Sequence, residues 1–139
     1  MQLTANLLMK LHVTLGETQY VGGMPGRELC IIPITGGQFE GPLLRGKVCA
    51  GGADWNTRIS EERSHVFAKY WIETDDGVII SVQNEGYIDA SANDRIKTVP
   101  RFEVSDETPY AFLLSGVYVG ELAAGNEPYS VDITLYRLD

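Results

Sequence analysis

Several things are scarce in this chain, and each scarcity removes a class of protein. There are 2 cysteines and 2 histidines in 139 residues. No Cys-x-x-Cys pair occurs and no histidine sits beside a cysteine, so the spacing of a zinc site or a redox motif is missing. No apolar run approaches the roughly 20 residues that span a bilayer as a helix. The opening Met1-Gln2-Leu3-Thr4-Ala5-Asn6 has no basic stretch ahead of an apolar one. A cytoplasmic protein without a membrane partner is expected. Basic residues are few, 11 Lys and Arg against 19 Asp and Glu, for a net charge of −8. Residues 1–50 hold 3 acids and 4 bases, and residues 51–139 hold 16 acids and 7 bases. That balance argues against a nucleic-acid partner, whose phosphates call for clustered cations. Helical periodicity is nearly absent, with single turns expected only near Ser60–Ser64 and Ser91–Ile96.

What remains is an apolar fraction of 44% and 15 glycines, enough for one domain over residues 1–139 with its own core. The dominant pattern is alternation. Leu7, Met9, Leu11, Val13 and Leu15 fall on one face of a strand, with Lys10, His12 and Thr14 on the other. Val66, Ala68, Tyr70, Ile72 and Thr74 repeat the pattern, as do Val78, Ile80, Val82 and Asn84. Between the last two runs, Asp76-Gly77 is a strong hairpin signal. Further strands are expected at Glu28–Thr35, Leu43–Cys49, Thr98–Val104, Ala111–Glu121 and Tyr129–Leu138. About eight strands with short connections cannot form a parallel sheet, which needs long crossovers. With almost no helix to cover the edges, the expected fold is an all-β, single up-and-down antiparallel barrel, with a β-sandwich as the alternative. Such a barrel is either filled by side chains or holds one small ligand.

Candidate site residues follow from that choice. The glycine-rich segments Pro33–Pro42, which include Thr35, and Gly51–Trp55 read either as bulged turns or as a rim where a ligand approaches the backbone. No Gly-Lys-Ser/Thr follows, so neither is a phosphate loop. Asp54 beside Trp55 suits a general base or acid whose pKa is raised by desolvation, or a loop cap. Arg101 and Glu103 share one strand face. Outward they form ordinary ion pairs, and inward Arg101 is an anion clamp. Tyr70, Asn84 and Tyr118 are polar members of apolar faces, each a satisfied core group alone and a pocket if they converge. His12 and His65 lack a carboxylate or cysteine at ligand spacing, so no metal and no His-based triad is expected. Cys30 and Cys49 read first as two reduced, half-buried thiols; the alternative is a strained disulfide, if the hairpin between them turns near Phe39 and Glu40 and sets them opposite each other.

Taken in order, Pro33-Ile34-Thr35-Gly36-Gly37, Phe39-Glu40-Gly41-Pro42, Gly51-Gly52-Ala53-Asp54-Trp55, Tyr70 with Thr74-Asp75-Asp76-Gly77, Asn84 with Gly86, Pro100-Arg101-Phe102-Glu103 and Tyr118-Val119-Gly120 resemble the bacterial and fungal family catalogued as domain of unknown function 3237. The resemblance covers nearly the whole chain and implies a compact β-barrel without an established general activity. Two departures stand out: Asn84-Glu85-Gly86 replaces the family's common Asn-Arg-Gly, and the segment between Gly86 and Pro100 is shorter than in many members.

Three functions are open on these grounds. The first is a cofactor-free acid–base enzyme, an isomerase, dehydratase or cyclase acting on a small oxygenated or aromatic compound. There Asp54 serves as base, Arg101 stabilises negative charge, and Tyr70 or Tyr118 donates a hydrogen bond. The second is a ligand-binding barrel in which Trp55, Asn84, Glu103, Tyr118 and Thr35 contribute contacts, with a neutral ligand favoured by the acidic background. The third is a structural barrel whose outward Phe67 and Trp71 make a subunit contact in a homo-oligomer.

Overall fold

The computed structural model describes residues 1–92 and 96–139. It is a closed eight-stranded antiparallel β-barrel with two extra strands. The strands are β1 (Ala5–Leu15), β2 (Gln19–Met24), β3 (Arg27–Glu40), β4 (Arg45–Val48), β5 (Ala53–Arg58), β6 (Arg63–Thr74), β7 (Ile79–Asp89), β8 (Ile96–Glu103), β9 (Val117–Ala124) and β10 (Ser130–Leu138). Strands β6 to β10 form a meander, β10 pairs with β1, and β1 closes the barrel on β3. On the other side of β3, strands β4 and β5 share one position in the wall. They are separated by residues 49–52, where Gly51 has φ +123°. A Cβ there would lie 2.5 Å from the Trp71 ring, so only glycine lets that indole cover the break. Strand β2 runs on from β1 past the rim and pairs with the first half of β3.

The alternation read from the sequence accounts for the wall. Val66, Tyr70, Ile72 and Thr74 on β6, and Ile80, Val82 and Asn84 on β7, are buried. Thr74 closes the hairpin between them by accepting the Gly77 N–H at its carbonyl and the Val78 N–H at its hydroxyl, both at 2.9 Å. Gly77 supplies the positive φ, +87°. On β1 the pattern shifts where a bulge between Leu7 and Met9 turns both Leu8 and Met9 inward and leaves Leu7 exposed.

Other elements depart from expectation. The expected strand from Ala111 starts only at Val117, because Ala111–Leu114 is a 3₁₀ turn that drives Leu113 into the barrel end. Gly116, at φ +93°, then reverses the chain into β9. Near Ser60 there are bends rather than a helical turn, with the Ser60 hydroxyl accepting the Arg63 N–H at 3.1 Å. Of the turn expected over Ser91–Ile96, Ala90–Ala92 is 3₁₀ and residues 93–95 lie outside the described residues. Cys30 and Cys49 are both free and half-buried, the first of the two readings above, and the alternative disulfide does not form. The β3–β4 turn lies beyond Glu40, which faces Arg45. Cys30 therefore stands opposite Asn56 on β5 rather than opposite Cys49.

The two ends of the barrel differ. At the end holding the β6–β7 hairpin, Leu8, Leu44 and Leu113 fill the interior, and Met9, Ile72, Ile80 and Leu135 are fully buried around them. Each such side chain contributes about 1.5–3 kcal/mol of burial free energy. Toward the opposite end, where the β2–β3, β5–β6 and β9–β10 connections lie, the interior becomes polar. Among the described residues no helix is long and apolar enough to cross a membrane.

Candidate functional site

The ladder registers build the polar half row by row, because cross-strand partners share a face. At the mouth, Glu28, Arg58, Ser64 and Ile88 are successive partners across β3, β5, β6 and β7. One step inward, Cys30 faces Asn56 and Val66 faces Gly86. The next row runs Ile32, Asp54, Ala68, Asn84, Pro100. Below it lie Tyr70, Val82 and Phe102. Strands about 4.8 Å apart put the Asp54 and Asn84 backbones about 10 Å from each other, with only the methyl of Ala68 between. A cleft of about 530 Å³ opens at the mouth and is lined by Cys30, Asn56, Ser64 and Ile88 among others. Asn56 connects it to the row beneath by donating its side-chain amide to Asp54 at 3.3 Å.

Asp54 is held by a gap in the β5–β6 ladder. Ala53 and Asp54 pair with Lys69 and Ala68, and pairing resumes only at Thr57 with His65. The main-chain N–H of Phe67, left over in that gap, donates to the Asp54 carboxylate at 3.0 Å. Burial pushes the Asp54 pKa above the ordinary carboxyl value, and the Phe67 and Asn56 hydrogen bonds and the charge of His65 pull the other way. Burial therefore dominates, which brings the group closer to the range where a carboxyl exchanges protons near neutral pH.

Among the described residues, three side-chain atoms inside the barrel are buried without a hydrogen-bond partner: Tyr70 Oη, Asn84 Oδ1 and Thr98 Oγ1. Their residues are 2%, 1% and 2% exposed. Tyr70 and Asn84 belong to the rows just described, and Thr98 faces Gly120 on β9. On its other side Thr98 lies against Gly86, where a Cβ would meet Thr98 Cγ2 at 3.1 Å. A buried polar group left without any partner costs about 1–3 kcal/mol, so each of these atoms calls for a partner from water or a ligand. Burial raises the Tyr70 pKa strongly, so the phenol stays neutral and available as a donor. Among the described residues no group of three His, Cys, Asp or Glu side chains is placed to hold a metal ion.

The sequence profile of the family described as "Protein of unknown function (DUF3237)" matches residues 3–138. The chain belongs to the DUF3237 family. It is similar to the UPF0311 protein blr7842 of Bradyrhizobium diazoefficiens, 34% identical over 137 residues, 87% of this chain and 84% of the relative. A β-barrel-like protein from Acinetobacter baumannii shares the fold at TM-score 0.87 and 29% identity, over 100% of this chain and 98% of that one. A structure described as an enzyme from Penicillium herquei shares it at TM-score 0.78 and 23% identity, over 99% and 96%.

Not all expected residues of this DUF3237 barrel meet in its interior. Tyr70, Asn84 and Asp54 lie on the interior-facing rows described above. Arg101 and Glu103 are exposed and alternate with the buried Pro100 and Phe102, so they face outward and Arg101 is no interior anion clamp. Burial of Phe102 decides the orientation of the strand and carries the charges out. Trp55 is 48% exposed on the outer face, opposite Ile31. Thr35 is exposed and its hydroxyl bonds that of Thr14 at 2.8 Å. Tyr118 is buried but satisfied: its hydroxyl donates toward the carbonyls of Ser115 at 3.0 Å and Phe112 at 3.2 Å, fastening the 3₁₀ turn at the filled end. Its ring meets Phe102 edge-on. Phe67 and Trp71 lie on the outer face, and Trp71 is partly engaged over Gly51.

Glu85 also points away from the interior and bonds His65 Nε2 at 2.7 Å. Thr98 and Asn56 were not anticipated. Thr98 shares a face with Pro100 and Phe102, a signal that alternation carries. Asn56 lies two residues after Asp54 in a strand with no apolar periodicity to reveal it.

Proposed function

We propose that the polar half of this barrel binds a small neutral oxygenated compound, aliphatic or aromatic, and that Asp54 performs acid–base chemistry on it. The observation that carries this reading is the set of partnerless buried atoms Tyr70 Oη, Asn84 Oδ1 and Thr98 Oγ1 in the same barrel interior as a carboxyl whose pKa burial has raised. Asn84 Oδ1 accepts, so it calls for a hydroxyl on the ligand. The Tyr70 and Thr98 hydroxyls can donate, so they suit a carbonyl oxygen. An α-hydroxyketone or a phenolic ketone offers both. No cation stands in the rows from Cys30 to Phe102, which favours a neutral compound. The fold's likeness to a structure described as an enzyme is compatible with catalysis.

In the step proposed, the Asp54 carboxylate takes the proton from the carbon next to the carbonyl. The C–H electron pair becomes the C=C bond of the enolate while the carbonyl π pair moves to the oxygen, which Tyr70 stabilises by donating its O–H. Return of the proton from Asp54 to a different atom of the enolate completes an isomerisation, and return to the same carbon exchanges it with solvent. The test is deuterium incorporation from D₂O into 2-hydroxyacetophenone, followed by proton NMR. Wild type should exceed the buffer rate, and Asp54→Asn should lose about 10²–10⁴-fold of that excess. Binding of the probe without exchange supports a non-catalytic barrel, and absence of both contradicts the proposal.

A further inference from the structure

His12, on the outer face of β1, is held between two carboxylates. Its Nδ1 lies 2.6 Å from Asp132 Oδ1 and its Nε2 lies 2.5 Å from Glu127 Oε1. Asp132 is the direct ladder partner of His12 on β10. Glu127 belongs to the turn over residues 125–129 that joins β9 to β10 at the open end. Ionised carboxylates only accept hydrogen bonds, so both ring nitrogens must donate, and only the imidazolium carries two N–H groups. A neutral ring would set a nitrogen lone pair against one carboxylate.

The turn is otherwise lightly tied. Gly125 N–H donates to the Ser130 carbonyl at 3.1 Å, Leu15 N–H donates to the Tyr129 carbonyl at 2.7 Å, and the Ser130 hydroxyl donates to the Glu127 carbonyl at 2.6 Å. Tyr129 has φ +58°, alone among the described non-glycine residues in being left-handed, so the turn is held in a strained shape. Glu127 and Tyr129 are exposed, and no hydrophobic burial holds the segment down.

We propose that the β9–β10 turn is a pH-controlled latch on the rim, fastened while His12 is charged and released when it is neutral. Asp132 stays because the ladder fixes it, and Glu127 leaves because it has a free path into solvent. The groups facing His12 are Asp132 from β10, Glu127 from the turn and the uncharged Gln38 from β3, while Lys10 on β1 faces Glu40 of β3 one step along. The carboxylates raise the His12 pKa above 6.5, with the Asp132 hydrogen bond as the largest cause and that of Glu127 next. The latch is therefore complete below about pH 6.5 and is lost as pH rises through the higher folded value. This inference is independent of the ligand reading above.

The test is amide hydrogen exchange on the full chain, expressed as protection factors to remove the intrinsic effect of pH. Leu15 and Gly125 are the reporters, and Val82 in β7 is the control for global stability. In wild type, reporter protection should fall several-fold between pH 6 and pH 9 while Val82 holds. In Glu127→Gln and in His12→Gln the reporters should be weakly protected at every pH. Wild-type reporters that do not respond to pH, or a response that survives in His12→Gln with Val82 intact, would overturn the latch.

Discussion

The carboxylate of Asp54 accepts the main-chain N–H of Phe67 at 3.0 Å across a gap in the β5–β6 ladder. A side chain thus takes the place of a missing backbone acceptor, and the same contact anchors the carboxyl in a buried setting. The pH dependence of stability follows. An unfolded Asp54 titrates near 3.8, and the folded group titrates higher because burial disfavours its charge. The stability it contributes is complete below the unfolded value and is lost as pH rises through the folded one. Asp54→Asn keeps the acceptor oxygen and never ionises. Its melting temperature relative to wild type should therefore rise as pH increases from about 3.8 and then level off. A difference that is constant or falls with pH would contradict this placement of Asp54.

The two buried tyrosines should respond in opposite ways. Tyr70→Phe removes a hydroxyl without a partner and should leave stability unchanged or raise it by up to about 1 kcal/mol, while weakening any ligand. Tyr118→Phe breaks the tie to Ser115 and Phe112 and should cost about 0.5–1.5 kcal/mol without affecting the polar half. Urea unfolding of both variants checks the contrast.

Because Arg101 and Glu103 face outward, Arg101→Ala and Glu103→Ala should change stability by no more than about 0.5 kcal/mol. Neither should alter the binding or exchange of 2-hydroxyacetophenone. A large loss of probe binding in Arg101→Ala would return that residue to the site.

Gly52 lies against the wall at Tyr70. A Cβ there would sit 2.4 Å from Tyr70 Cβ and 2.5 Å from the Lys69 carbonyl oxygen, so the backbone must shift. Gly52→Ala should cost about 1–3 kcal/mol and displace Tyr70. Gly23→Ala, at a position where nothing lies within 4 Å, serves as the control and should be near neutral. Comparing the two unfolding midpoints checks both expectations.

The barrel was legible because alternation in strands such as Val66–Thr74 reports which face is buried, and Asp76-Gly77 marks where the chain turns. The same alternation put Tyr70 and Asn84 inside. It could also have placed Arg101 outside, since Pro100 and Phe102 are the apolar partners in that strand and burial of an aromatic outweighs any use for an inward charge. Strand β5 was hidden because Ala53-Asp54-Trp55-Asn56-Thr57-Arg58 has no apolar period. Its face is set by pairing with β3 and β6 rather than by its own residues. The His12 cluster was illegible for a different reason: its carboxylates lie 115 and 120 residues away and meet it only when β10 closes the barrel on β1. The cysteine register failed because the turn after Glu40 lies a few residues later than the apolar pattern suggests.

Under the proposed function, Tyr70, Asn84 and Thr98 lack partners among the described residues because a ligand supplies them. A crystal structure of the protein soaked with 2-hydroxyacetophenone tests it most directly. The probe is expected inside the polar half, its hydroxyl within about 2.6–3.2 Å of Asn84 Oδ1 and its carbonyl oxygen equally near Tyr70 Oη. A probe bound only on the outer wall, with ordered water alone satisfying all three interior atoms, would contradict it.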